Sequence, residues 1–262
     1  MISTILSTVQ AMASDDYVGF TFFVGCMAMM AASAFFFLSM SSVEGKWKTS
    51  LLVSGLITFI AAVHYFYMRD YWAASQVLDG GWGEPIKNAL GDIIDRKGDS
   101  PTFFRYVDWT LTVPLMCVEF YLILKAAGAK TGLLWKLIWA SVVMLVTGYL
   151  GEAVYNTGTG PAIWGLFSGL AYFYIVYLIM AGEAKQLANA STPAVQKAHN
   201  ILCKFVLIGW GIYPLGYMIG TEGWYDFVDG IPVDMDVVYN IGDAINKIGF
   251  GLVIYSLAVS DK

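Results

Sequence analysis

Charge is what this 262-residue sequence has least of: only 13% of its residues are Asp, Glu, Lys or Arg. A soluble domain carries about 25%, so a conventional water-facing surface is excluded. Cysteine is also scarce. Cys26, Cys117 and Cys203 stand without any CxxC pairing, which argues against a disulfide framework or a thiolate metal site and for buried structural thiols. No metal site is expected. Neither internal repeats nor low-complexity segments are visible. The net charge of −5 gives no electrostatic reason to expect a nucleic-acid partner.

What is present is apolar: 58% of residues are hydrophobic, gathered into seven long stretches. They run over 17–41, 50–72, 101–126, 132–151, 161–182, 200–220 and 236–258, each near or above the ~20 residues that cross a bilayer as a helix. The runs are continuous and do not alternate at period two, which excludes barrel strands. The expected fold is all-α, a single seven-transmembrane-helix bundle over residues 1–262 in a multi-pass cell membrane, with the lipid bilayer as its surroundings. Lys46, Lys48, Lys125, Lys130, Lys185 and Lys197 cluster in the connectors after the first, third and fifth spans. The other connectors are acidic, with Asp79, Glu84, Asp92, Asp95 and Asp99 in one and Glu222, Asp226, Asp229, Asp234 and Asp236 in another. The positive-inside bias therefore puts the N-terminus outside and the C-terminus in the cytoplasm. Residues 1–14 resemble a weak signal peptide but lack its basic start. The 73–100 connector opens on turn residues, DGGWGEP, while IKNALGDIIDRK has helical spacing. It would cap one end of the bundle or touch a neighbouring protomer.

Ionisable residues inside a span are costly and mark function by default. Arg105, Asp108 and Glu119 lie in the third span, Asp243 and Lys247 in the seventh, and His64 in the second. Lys247 is about eleven residues from either end of its span, roughly 16 Å of rise, too deep for its stem to reach water. Two readings are open for it. One is an ion pair with Asp243, one turn back on the same face; the other is an amine that condenses with an aldehyde to a Schiff base. In the third span, Arg105, Asp108, Thr112, Met116 and Glu119 step by three, four, four and three and share one face. Asp108 and Glu119 are then about three turns, ~16 Å, apart along the helix, the vertical spacing of a proton relay. His64 and His199 read by default as a satisfied core residue and a solvated surface residue.

The stretches RYVDWTLTVPL (105–115) and DAINK (243–247) resemble the microbial rhodopsins, most closely the proteorhodopsins. WKTSLLVSGL (47–56), HYFYMR (64–69), GDSPTFFRYVDW (98–109), GYLGE (148–152) and WGIYPLGY (210–217) follow in the same order, so the resemblance covers nearly the whole chain. It implies all-trans retinal on Lys247 as a protonated Schiff base, with Asp108 as counter-ion and proton acceptor and Asp243 as second counter-ion. Glu119 is implied as the cytoplasmic proton donor, and Arg105 and His64 as residues that tune the acceptor, His64 by a hydrogen bond to Asp108. Trp109, Thr112, Met116, Ser168, Trp210, Tyr213, Pro214 and Tyr217 are implied as the retinal pocket, with Met116 favouring green absorption. Gly165 departs from the bulky residue often found there. It reads either as a small residue for close helix packing or as an opening for a carotenoid antenna of the xanthorhodopsin kind.

The activity implied is a light-driven outward proton pump: a transporter, not an enzyme, moving protons and assembling as a homo-oligomer, pentamer or hexamer, through the second-span face near His64. The alternatives are a sensory rhodopsin signalling to a partner, or a pump of another ion. The short C-terminal tail offers no fused signalling domain, and carboxylates at both Asp108 and Glu119 match the proton-pumping pattern.

Overall fold

The computed structural model describes residues 16–78, 86–87, 93–94, 100–221, 225 and 234–260. The N-terminal stretch read as a weak signal peptide, most of the 73–100 connector and most of the acidic connector after the sixth span lie outside them.

Among the described residues seven helical spans, Tyr17–Ser42, Lys46–Ser75, Thr102–Ala127, Thr131–Val154, Gly160–Asn189, Pro193–Ile219 and Met235–Ser260, are long and apolar enough to cross a membrane. They are built from α1 (Tyr17–Ser39), α2 (Lys46–Leu78), α3 (Thr102–Leu124), α4 (Thr131–Tyr149), α5 (Gly160–Met180), α6 (Glu183–Asn189), α7 (Pro193–Lys204), α8 (Ile212–Ile219) and α9 (Met235–Ser260). Consecutive spans pack against one another, and α9 closes the ring on α1 while also touching α2 and α3 across it. The buried core runs up the middle, through Trp109, Met116, Phe120, Trp210, Phe250 and Ile254. The outer surface carries Leu38, Trp139, Leu166, Phe173 and Ile208, each more than half exposed, as lipid contact requires.

Local chemistry sets the helix ends. Asp16 caps α1 by accepting from Gly19 N at 2.8 Å, and Thr192 caps α7 through Val195 N just ahead of Pro193, an N-terminal pattern that satisfies orphan amides. Gly128, at φ 93°, ends the turn after α3 in a region that favours glycine. Two spans are interrupted by turns that widen to i→i+5 pairing. Tyr155 N donates to Leu150 O at 2.7 Å after α4, and Trp210 N donates to Phe205 O at 3.0 Å after α7. The second break is followed by Pro214, which has no N–H to return to Trp210 O, and α8 restarts only at Ile212.

Three sequence expectations are corrected here. The sixth span begins at Pro193, seven residues before its apolar run. Its first turns are amphipathic: Val195, Ala198 and Leu202 are buried while Lys197, Asn200 and Lys204 are exposed. His199, expected at a solvated surface, is fully buried on that inward face. Ile179 O, one of the last carbonyls of α5 that the helix itself cannot pair, can only accept, so His199 Nε2 donates to it at 2.8 Å. Finally, the 86–97 stretch is not helical where it is described. Ile86–Lys87 (β1) pairs antiparallel with Ile93–Ile94 (β2), Ile86 opposite Ile94. A helix this short is hard to nucleate, Gly91 weakens it further, and the β-branched isoleucines suit a strand.

Because His199 Nε2 donates to Ile179 O with only the weaker Cys203 Sγ–H beside it at 3.4 Å, His199→Ala should cost about 1–3 kcal/mol, the range for a buried acceptor that loses its strong donor. Thermal unfolding in detergent checks this; a solvated surface histidine would change stability by less than about 0.5 kcal/mol.

Candidate functional site

The seventh span carries the centre. In α9, Lys247 Nζ lies 2.8 Å from Asp243 Oδ1 and 3.0 Å from Asp108 Oδ2, with all three side chains buried. Both readings of Lys247 left a carboxylate beside it; the structure supplies two, one from its own helix and one from α3.

The two carboxylates are held differently. Asp243 is gripped by three other spans: Tyr65 OH donates to Oδ2 at 2.8 Å, Tyr213 OH to Oδ1 at 2.5 Å, and Trp109 Nε1 lies 3.2 Å from both oxygens. Apart from the Lys247 ammonium, Asp108 has no hydrogen-bond donor on either oxygen among the described residues. Its contacts are the Lys247 ammonium and His64, whose Nδ1 is 3.7 Å from Oδ1. That is too long for a hydrogen bond. His64 Nδ1 instead lies 2.9 Å from Ile60 O, an acceptor only, so it donates there, and the expected His64–Asp108 hydrogen bond is not made.

Arg105 lies one turn from Asp108 and is paired away from it. Its Nη2 donates to Asp236 Oδ1 and Asn240 Oδ1, both at 2.8 Å. The guanidinium sits 5.1 Å from the Phe22 ring and 5.3 Å from the Tyr239 ring, favourable cation–π distances. Asp236, counted by sequence among the connector acids, is thus the partner of a buried cation. At the far end of α3, Glu119 is fully buried; Ser54 Oγ of α2 donates to its Oε1, and Oε2 has no partner among the described residues.

A cavity of about 470 Å³, inside the usual size range for a small-molecule site, is lined by Trp109 and Tyr213, the two residues that bond Asp243, though not by the triad itself. Trp109, Ser168, Trp210, Tyr213, Pro214 and Tyr217 line it as expected, together with Gly165. Its walls are overwhelmingly apolar and aromatic, which fits a polyene, and Trp109 and Tyr213 join them to the Asp243–Lys247 pair. Thr112 and Met116 are buried on the α3 face but do not line this cavity; Thr112 Oγ1 donates back to Asp108 O at 2.9 Å. A Cβ on Gly165 would stand 2.8 Å from Tyr217 Cε1 and 2.9 Å from Tyr225 OH, so the glycine both borders the cavity and admits two tyrosines.

Sequence reasoning missed Ser54, Tyr65, Tyr172, Asp236, Asn240 and Glu152. Glu152 sits in the widened turn Leu150–Val154, lines the cavity, and accepts from Tyr106 OH at 2.7 Å. Tyr65 and Glu152 fall inside the HYFYMR and GYLGE stretches, so the signal was on the page without a role attached.

Residues 16–260 match the family model described as bacteriorhodopsin-like protein. The chain is 42% identical over 251 residues to the green-light absorbing proteorhodopsin of Gamma-proteobacterium EBAC31A08, covering 95% of this chain and 89% of that one. It is 41% identical over 254 residues to the blue-light absorbing proteorhodopsin of Gamma-proteobacterium Hot 75m4, covering 95% and 88%. Among solved structures, xanthorhodopsin, described as a light-driven ion pump with dual chromophore, superposes with a TM-score of 0.72 at 30% identity, over 93% of each chain. With a buried lysine between two carboxylates beside an aromatic cavity, and with these matches over almost its full length, the chain belongs to the bacteriorhodopsin-like family.

Proposed function

We propose that this protein is a light-driven proton pump that carries retinal on Lys247 and moves protons outward across the cell membrane. It is a transporter, not an enzyme. The observation that carries the reading is the buried Asp108–Lys247–Asp243 triad against the cavity wall, with a second sealed carboxyl, Glu119, eleven residues along the same helix.

Retinal, joined through its aldehyde carbon to Lys247 Nζ, supplies light absorption and a change of shape that reorients that nitrogen. The chain's own residues do the rest. Asp108 and Asp243 hold the proton at Lys247 Nζ in the dark, since a buried cation is stable only beside anions. Asp108 is the acceptor. Protonating Asp243 would forfeit hydrogen bonds from Tyr65, Tyr213 and Trp109 that favour its anion, whereas Asp108, among the described residues, has only the contact with Lys247 itself to lose. Arg105, paired with Asp236 and Asn240, provides the positive charge on the exit side of the acceptor. Glu119, with Ser54 as its single hydrogen-bond partner among the described residues, stores a proton on the other side, because an unpaired charge there would be costly. The lysine-rich connectors place Glu119 toward the cytoplasm, so the proton enters by Glu119 and leaves by Asp108.

The finer parts of the reading are these. His64 tunes Asp108 from 3.7 Å as a nearby ring, not a hydrogen-bond partner. Thr112 and Met116 border the chromophore from α3, with Met116 favouring green absorption. Gly165 either serves close packing of Tyr217 and Tyr225 or leaves an opening for a carotenoid antenna, and a homo-oligomer of five or six would use the second-span face near His64, where Phe59, Val63 and Phe66 are exposed.

Cells expressing the protein with added retinal should acidify their medium under green light, and a protonophore should abolish the signal. An alkalinisation enhanced by protonophore would indicate another ion; no pH change would indicate a sensor. Lys247→Ala and Lys247→Arg should both fail to develop visible absorbance, the second while keeping a cation between the carboxylates. Asp108→Asn should stay coloured and stop pumping, and a normally pumping Asp108→Asn would refute its role. Glu119→Gln should slow the last phase of recovery after a flash by about 10²-fold, the lower range for losing a positioned proton donor, with colour unchanged. Met116→Gln should move the absorption maximum to the blue in a simple absorbance scan.

A further inference from the structure

The break in the sixth span has two clamps that the pumping scheme does not use. In a regular helix Trp210 N would bond Val206 O; here it reaches back to Phe205 O at 3.0 Å, so Val206 O loses its helical donor. A buried carbonyl left unpaired is expensive. Tyr172, from α5, puts its hydroxyl 3.1 Å from Val206 O and 3.0 Å from Leu207 O and replaces the missing donor. From the opposite side, Asn246 of α9 presses its amide onto Gly209, where Oδ1 occupies the space a Cβ would need. Asn246 is 4% exposed and its Nδ2 has no hydrogen-bond partner among the described residues, so against Gly209 the amide is held by packing.

These contacts converge on one place. The clamped turn, Phe205–Gly209, immediately precedes Trp210, and both Trp210 and Tyr172 line the chromophore cavity. Asn246 is the neighbour of Lys247 in sequence. Any change of shape in the cavity therefore pushes on Trp210, and through it on a turn whose freed carbonyl depends on a single phenol. Widened turns of this kind occur disproportionately at functional sites because they can rewind without unfolding the helix.

We propose that Tyr172 and Asn246 are positioning residues that hold the Phe205–Gly209 turn in its resting form, and that this turn sets how fast Trp210, and with it the pump, recovers after each flash. The proposal rests on the retinal-pump reading. Displacing Trp210 strains the turn against its clamps; restoring the Tyr172 bond drives the return. Weakening a clamp leaves the displaced form less unfavourable, so recovery slows.

The test is flash photolysis of the purified, retinal-loaded protein together with hydrogen exchange of the retinal-free protein. Tyr172→Phe removes one hydroxyl and should slow recovery about fivefold, the factor that one net hydrogen bond is worth. Amides of 205–212 should exchange faster in the retinal-free variant. Recovery indistinguishable from that of the parent overturns the proposal, even if the variant is less heat-stable, because a merely structural role predicts that combination. Should Tyr172→Phe not take up retinal, Gly209→Ala and Asn246→Ala decide. Gly209→Ala should disturb recovery by pressing on the amide, and adding Asn246→Ala should restore it; no restoration overturns the proposal. Failure of the retinal reading would look different, since the parent would gain no visible absorbance with retinal.

Discussion

One buried cation stands between two buried anions, and the rest of the molecule is arranged around that constraint. An ammonium–carboxylate contact near 3 Å is worth on the order of 5 kcal/mol at an effective dielectric of about 20. Burying each ion costs several kcal/mol, so two such contacts do not by themselves repay three desolvations. The remainder comes from hydrogen bonds. Tyr65, Trp109 and Tyr213 all spend theirs on Asp243, and these donors come from the second, third and sixth spans. The same carboxylate that neutralises Lys247 therefore ties the ring of helices together at mid-depth, and the order of packing around the bundle follows from the need to bring those three side chains to one point.

Breaks in the helices serve the same centre. Both widened turns border the cavity: one carries Glu152 into its wall, the other delivers Trp210. A continuous helix would rotate each of these side chains away, since one residue is worth about 100°. The freed carbonyl after α7 is satisfied by Tyr172. At the turn after α4 the close approach of Tyr217 to Gly151 requires a glycine, and Tyr217 OH completes the contact by donating to Pro161 O at 2.6 Å. The cavity is thus walled by residues whose positions depend on departures from helical regularity, each matched by a small residue or a phenol on the neighbouring span.

What could be read from sequence divides along the same line. Lys247, Asp243, Asp108 and Glu119 were legible because two helices place them by intrahelical spacing alone, and a charge in an apolar run is conspicuous. The seven spans were legible because apolar length is a local property. Ser54, Tyr65 and Asn240 were not, because a serine, tyrosine or asparagine in a span is ordinary until a partner on another helix is known. Asp236 was hidden among connector acids, and only the fold brings it to Arg105. His199 was misread because the start of the sixth span is amphipathic: its charged face made the segment look like a loop, when its other face packs into the core. The isoleucines of the 86–97 stretch showed a helical interval that strand pairing overrode.

The division of labour between the two carboxylates is the step that neither spacing nor resemblance could supply in physical terms. Asp108 and Asp243 touch the same amine at nearly the same distance, so Coulomb attraction does not distinguish them. Donors do. An anion that accepts from two phenols and an indole is fixed in place and in charge, since protonation would waste at least one of those bonds. An anion whose one close donor is the Lys247 ammonium itself can take up that proton without stranding a phenol or an indole. Asp108 shares its helix face with Arg105 toward one end of the bundle and with Glu119 toward the other, so in the proposed pump the carboxylate free to change its charge is also the one on the line between entry and exit.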